Sequence, residues 1–225
     1  MLKRFEVRNY KNFKDTLVFD LENVGGYKFN QECIRNGLIG KGIIYGRNAT
    51  GKTNLGNAIL DIRRVILGGS RVLRRDFFLN ADSEEQSACF CYDFLLGKSS
   101  VVYCYEKSAD GRLTKERLDI DQKCVYDLDF IKKKFEQLNL EVIQADSIQI
   151  DKYMELVING VMGEEEDNDQ VPLIRFLLNN AAILPESPIR RLEDFVSRMM
   201  VLGVVAQLKN ISPWMKSSPR FIDLC

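Results

Sequence analysis

The chain has 225 residues, 45% of them hydrophobic and 28% charged, the composition of a soluble globular protein able to bury a sizeable core. Its net charge of zero excludes a global basic field for nucleic acid or an anionic membrane, while a local basic patch stays open. No stretch approaches the roughly 18 consecutive apolar residues of a membrane span. No apolar segment of signal-peptide type follows the basic start MLKRFEVRNY, so the chain reads as cytoplasmic.

In chain order, Phe5 to Phe13 and Thr16 to Leu21 read as strands rich in β-branched and aromatic residues, with a turn between them. A loop follows, punctuated by Gly25-Gly26 and Asn36-Gly37. Leu38 to Gly46 (LIGKGIIYG) is an apolar run suited to a buried strand. From Lys52 the pattern becomes helical: Leu55, Ile59, Ile62 and Ile66 share one face, and Gly68-Gly69 ends the helix. Ser87 to Ile120 reads as antiparallel strands, with a hairpin turn at Ala109-Asp110-Gly111. The last third is mostly helical. VPLIRFLLNNAAI follows an acidic loop, and SPIRRLEDFVSRMMVLGVVAQL opens with Ser187 as N-cap and Pro188 in the first helical position.

Six cysteines (Cys33, Cys89, Cys91, Cys104, Cys124 and Cys225) show no C-x-x-C and no metal-ligand spacing, and the chain has no histidine. Cys89, Cys91 and Cys104 lie in strand-like runs, and reduced, structural thiols are expected.

The motif that carries chemistry is Gly46-Arg47-Asn48-Ala49-Thr50-Gly51-Lys52-Thr53, which matches G-x-x-x-x-G-K-[ST]. Its glycines let the backbone turn around a phosphate without a Cβ clash, so that successive N–H groups form an anion nest. The helix beginning near Lys52 adds its unsatisfied N–H groups and the positive end of its dipole. Lys52 supplies a mobile cation for the β- and γ-phosphates, and the Thr53 hydroxyl completes a Mg²⁺ shell. A chance match in a chain this long is on the order of one per cent. The expected ligand is ATP with Mg²⁺, held by residues 46–54, including Asn54.

FEVRNYKNFKDTLVFDL together with IIYGRNATGKTNL resembles the ABC-type ATPase heads of the SMC, RecF and OLD-nuclease superfamily. There the first strands carry an N-F-x-x-F-like stretch and the loop often reads G-x-N-G-x-G-K-[ST]. This chain has Ala49 where Gly is usual and Tyr10 where Phe is common. SPIRRLEDFVSRMM is similar to a helix of prokaryotic AAA family ATPases from phage-defence and abortive-infection systems. The resemblance implies an α/β fold: a P-loop NTPase, ABC-ATPase-like lobe with an antiparallel β subdomain and a helical C-terminal part, forming an incomplete head. The division would be 1–83 for the nucleotide-binding lobe, 84–125 for the β subdomain and 126–225 for the helical segment. It also implies that Lys11, Asn12 and Phe13 border the nucleotide, with Asn12 the polar contact.

Such a head also needs a Walker B strand with a catalytic Glu, a late S-G-G signature and a switch histidine. The chain has no Asp-Glu dipeptide and no histidine. RFIDLC offers Asp223 without the preceding apolar run, and LGGSR (Leu67 to Arg71) has the wrong order and reads as a helix stop. Catalytic residues are therefore unassigned. Gln86 is a weak Q-loop candidate, Arg74-Arg75 reads as a solvated helix end and Glu164 to Asp169 as a solvated acidic loop. Hydrolysis would need a homodimer or a completing ATPase or nuclease chain. Two other readings stand beside this one: a non-catalytic nucleotide-binding regulatory subunit, and another P-loop enzyme such as a GTPase. For the GTPase, the fragment nearest to [NT]-K-x-D, Thr114-Lys115-Glu116-Arg117, lacks the Asp.

Overall fold

The structure, a computed structural model, describes residues 1–26, 28–68, 79–159 and 170–200, with side chains left out at 157–159. The first strand, β1 (Leu2–Arg8), turns Phe5 and Val7 inward and Arg4 and Arg8 to solvent, the two-residue period of a strand with one buried face. β1 pairs antiparallel with β2 (Leu17–Asp20). A small separate hairpin follows, β3 (Ile34–Arg35) and β4 (Leu38–Ile39), joined by Asn36 and Gly37 with φ of 54° and 74°. Two positive φ values in succession are what a tight two-residue hairpin turn requires.

Helix α1 (Lys52–Leu67) then buries Leu55, Ile59, Ile62 and Ile66, the face expected from their spacing, and ends at Gly68 with φ 77°. Gly69 lies outside the described residues. The main sheet continues with β5 (Ser87–Leu96), β6 (Ser99–Ser108), β7 (Leu113–Ile120), β8 (Lys123–Asp129) and β9 (Lys134–Leu138). The turn at Ala109-Asp110-Gly111 forms as expected, with Gly111 at φ 80°. Helices α2 (Ile150–Asn159), α3 (Leu173–Asn180) and α4 (Pro188–Ser197) follow, and short 3₁₀ turns lie at Gln31–Cys33 and Leu140–Ile143.

The seven strands of the main sheet run in the order β2-β1-β5-β6-β7-β8-β9, and each neighbouring pair is antiparallel. One face is the core: Phe90, Tyr92, Tyr103 and Tyr105 are essentially fully buried, α1 packs against α3 and α4, and α4 also reaches β5 and β6. Three polar links tie helices to sheet. Tyr92 Oη donates to the Ala58 carbonyl of α1 at 2.7 Å. Asp61 of α1, also buried, accepts from Tyr105 Oη at 2.8 Å and from Lys107 Nζ. Glu116 of β7 accepts the first N–H groups of α3, Leu173 at 2.7 Å and Ile174 at 3.0 Å, as well as the hydroxyls of Tyr103 and Tyr126. Most buried polar groups are partnered in this way. The exceptions among the described residues are the hydroxyls of Thr114 and Ser187, and Ser187, although at the N-cap position of α4, makes no side-chain cap bond.

The expected α/β P-loop NTPase fold, with its parallel sheet and incomplete ABC-type head, is not what forms. The architecture is a predominantly antiparallel sheet with few helices. The run Leu38 to Gly46 gives only Leu38–Ile39 to a strand, and residues 40–46 join no strand. Gly40, Gly42 and Gly46 interrupt it, and glycine both lowers strand propensity and leaves no side chain to pack. A parallel strand would also need a long crossover to reach its partner. The main sheet instead gains most of its strands from short hairpins.

Two smaller expectations change as well. Strands continue past Ile120 through β8 and β9; bulges between Leu118 and Asp119 and between Asp127 and Leu128 break the simple alternation that marks them in sequence. Cys91 and Cys104, expected to be reduced, sit directly opposite across β5 and β6, with Cα atoms 4.1 Å apart, and form a disulfide. Helix α4 ends at Ser197, and the remainder of its expected length from residue 201 lies outside the described residues.

Candidate functional site

The G-x-x-x-x-G-K-T loop forms the entry to α1. Gly51 is the N-cap residue, with φ 97° and ψ 9°, and its carbonyl accepts the Leu55 N–H at 2.8 Å. That left-handed conformation is one of glycine's own. A second left-handed residue is Ala49, φ 65°, at the position where the resembling heads carry glycine. A non-glycine residue there holds a conformation that costs on the order of 1 kcal/mol. Thr50 Oγ1 donates to the Arg47 carbonyl at 2.8 Å, which closes the loop on itself.

Lys52 folds back across this loop. Its Nζ donates to the carbonyls of Gly46 at 2.8 Å and Arg47 at 2.7 Å. An ammonium carries three donors, so one remains, and both existing bonds are to neutral acceptors that a phosphate oxygen would outcompete. Residues 46–50 and Thr53 are exposed, and the first turn of α1 contains no acid to oppose an anion. A Mg²⁺ ion takes few protein ligands and keeps phosphate oxygens and waters. The exposed Thr53 hydroxyl, a hard oxygen at the end of the loop, fits that sparse requirement.

The N-terminal turn meets the loop. Asn54 Nδ2 donates to Asn12 Oδ1 at 2.7 Å, and Asn12 Nδ2 lies 3.5 Å from the Thr50 carbonyl. Lys11 has φ 50°, its ammonium lies over the Tyr10 ring at 5.5 Å, and Phe13 is buried. Asn12, residues 46–53 and Asn54 thus form one cluster. Gln86 is exposed and donates to the nearby Glu84 carbonyl at 2.9 Å. Arg74-Arg75, Glu164 to Asp169 and Asp223 lie outside the described residues.

Among the described residues, the buried carboxylates Asp61, Glu116 and Asp129 are engaged elsewhere. Asp61 is held by Tyr105 and Lys107, and Glu116 by two tyrosines and the start of α3. Asp129 accepts the N–H groups of Ile131 at 3.0 Å and Lys132 at 2.8 Å. Among the described residues, no group of three or more His, Cys, Asp or Glu side chains could hold a metal ion.

Sequence reasoning missed Asn9 and Asn80, both buried, which anchor the turn that carries Asn12. The available signal was Asn9 itself, in R-N-Y-K-N-F, because asparagine tolerates the left-handed conformation it adopts here, φ 53°. No known family's model matches the chain, and no curated protein matches it in sequence. No helix among the described residues is long and apolar enough to cross a membrane.

Proposed function

We propose that this protein binds Mg-ATP through Gly46, Arg47, Asn48, Ala49, Thr50, Gly51, Lys52, Thr53 and Asn54, with Asn12 beside the loop, and that it serves as the ATP-binding module of an ABC-like ATPase. The observation that carries the proposal is the complete Walker A sequence at the N-terminus of a sixteen-residue helix, with Gly51 left-handed and Lys52 already folded over the loop. The reading does not depend on a parallel sheet. Loop N–H groups and the first turn of α1 supply the anion site, and Lys52 the cation.

Hydrolysis needs more than ground-state contacts. It requires a group to orient the attacking water and charge stabilisation realised in the transition state. The described buried carboxylates are fixed by other partners, so turnover is assigned to an assembly, either a homodimer or a complex with an ATPase or nuclease chain. The same observation favours the second reading, a nucleotide-binding regulatory subunit without turnover. The GTPase reading loses ground, since the position of the guanine-reading Asp is taken by Arg117, a cation paired with Asp119 and Asp127. The compartment proposed is the cytoplasm; the Cys91–Cys104 disulfide points the other way, to an oxidising one. A steady-state phosphate-release assay on the isolated chain separates the two leading readings from a self-sufficient enzyme. Turnover of roughly 1 s⁻¹ or more, abolished by Lys52→Ala, would contradict both.

A further inference from the structure

Asn9, Asn80, Asn12 and Asn54 link the start of β5 to the phosphate loop through hydrogen bonds and the Lys11–Asn12 peptide. Asn9 is fully buried and donates from Nδ2 to the carbonyls of Glu85 at 2.8 Å and Ser87 at 2.9 Å. Its Oδ1 accepts the Asn80 N–H at 3.2 Å. Asn80 in turn donates from Nδ2 to the Lys11 carbonyl at 2.6 Å and accepts the Asp82 N–H at 3.0 Å. The peptide linking Lys11 to Asn12 passes the series on, and Asn12 Oδ1 accepts from Asn54 Nδ2 at 2.7 Å. The turn itself is closed by reciprocal backbone bonds between Tyr10 and Phe13, at 3.0 and 2.9 Å.

This series reaches the loop at its most demanding residue. A Cβ on Gly51 would lie 2.2 Å from Asn12 Nδ2, so the asparagine side chain fills the space above a left-handed glycine. Asn54, two residues beyond Lys52, is fixed by the same carboxamide. A glycine at φ 97° has other conformations open to it at little cost, and only its surroundings select this one. The surroundings here are Asn12.

We infer that Asn12 and Asn54 are positioning residues, which hold Gly51 and the first turn of α1 in the geometry that receives a triphosphate, with Asn9 and Asn80 anchoring them to the sheet. The inference rests on the nucleotide-site reading proposed above. The residues are neutral, so they set the direction of the loop N–H groups without competing with the anion for charge.

Mg-ATP titration of Asn12→Leu and Asn54→Leu tests this, together with amide exchange measured without nucleotide. Each variant should bind about five- to tenfold more weakly, the loss that follows from one hydrogen bond. The double variant should bind no more weakly than either single one, because both delete the same bond. Asn54→Gln keeps an amide donor and should stay within about twofold of wild type. Exchange over residues 50–55 should be faster in Asn12→Leu and unchanged over residues 59–65. Wild-type affinity and unchanged loop exchange in both Leu variants would overturn the positioning role and leave the nucleotide reading intact. Absence of Mg-ATP binding by the wild-type protein would instead remove the nucleotide reading; unchanged loop exchange in Asn12→Leu would then overturn the positioning of the loop as well.

Discussion

The block from Ser87 to Leu138 and the segment from Leu38 to Thr53 respond in opposite ways to similar apolar content. In the block, consecutive strands pair with each other, β5 also taking β1 on its other edge, and alternating residues such as Ala88, Phe90, Tyr92 and Phe94 are all buried. In the segment, Ile43, Ile44 and Tyr45 are just as apolar, yet only Ile44 packs on the core, while Ile43 and Tyr45 are 86% and 91% exposed. The difference lies in what each needs. A hairpin strand finds its neighbour a few residues away, at small loop-closure cost. A lone run flanked by glycines has to find a distant partner, and each glycine loses more backbone entropy on extension and offers no side chain to pack. The hairpin block forms a packed sheet, and the open segment leads into the G-x-x-x-x-G-K-T loop.

The comparison is broken most severely by attacking the block. Phe90→Ala empties a site between Tyr10 and Tyr105 rings and should destabilise the fold by about 3–5 kcal/mol in guanidinium unfolding. A loss below about 1 kcal/mol would mean the core is not packed as described. Asp61→Ala breaks the buried pair with Lys107 and removes the acceptor of Tyr105, and a similar cost of about 3–5 kcal/mol is expected. The loop itself should keep its sequence-encoded turn in that variant.

A milder prediction concerns pH. Burial holds the Glu116 carboxyl above its ordinary value of 4.5, even though backbone and tyrosine donors favour the ionised form. A carboxyl raised in the folded state contributes stability that is full below its ordinary value and is lost as pH rises through the folded value. Glu116→Gln does not titrate. The stability advantage of wild type over this variant should therefore shrink as pH rises above 4.5. A constant or widening gap in thermal unfolding would contradict the assignment. The smallest effect belongs to the open segment: Tyr45→Ala should change stability by no more than about 0.5 kcal/mol. A loss above about 2 kcal/mol would show that Tyr45 is covered in solution and would end the contrast between the two regions.

Much of this was legible in the sequence where the information is local. The α1 face, the β5 to β7 alternation, the turn at Gly111 and the Walker A loop all follow from spacings within a few residues. Non-local facts were not legible. That β1 pairs with β5 depends on contacts between residues far apart in sequence, such as Arg8 and Cys89. β8 and β9 were obscured by bulges that shift the period. The opposition of Cys91 and Cys104 depends on hairpin register, which composition does not reveal. At the site, the loop residues were evident, but the anchoring of Asn12 by Asn9 and Asn80 was not, because those two are 71 residues apart in sequence.

The nucleotide binding proposed above depends on Lys52 in the exposed loop at the start of α1. Its most direct test is titration of a fluorescent ATP analogue, with Mg²⁺, into the wild-type protein and Lys52→Ala. Removing a cation that makes charge-assisted hydrogen bonds to phosphate should weaken binding by about ten- to a hundredfold, with the unfolding midpoint in guanidinium unchanged. Equal affinity in the two proteins, or no binding to the wild type, would contradict the account.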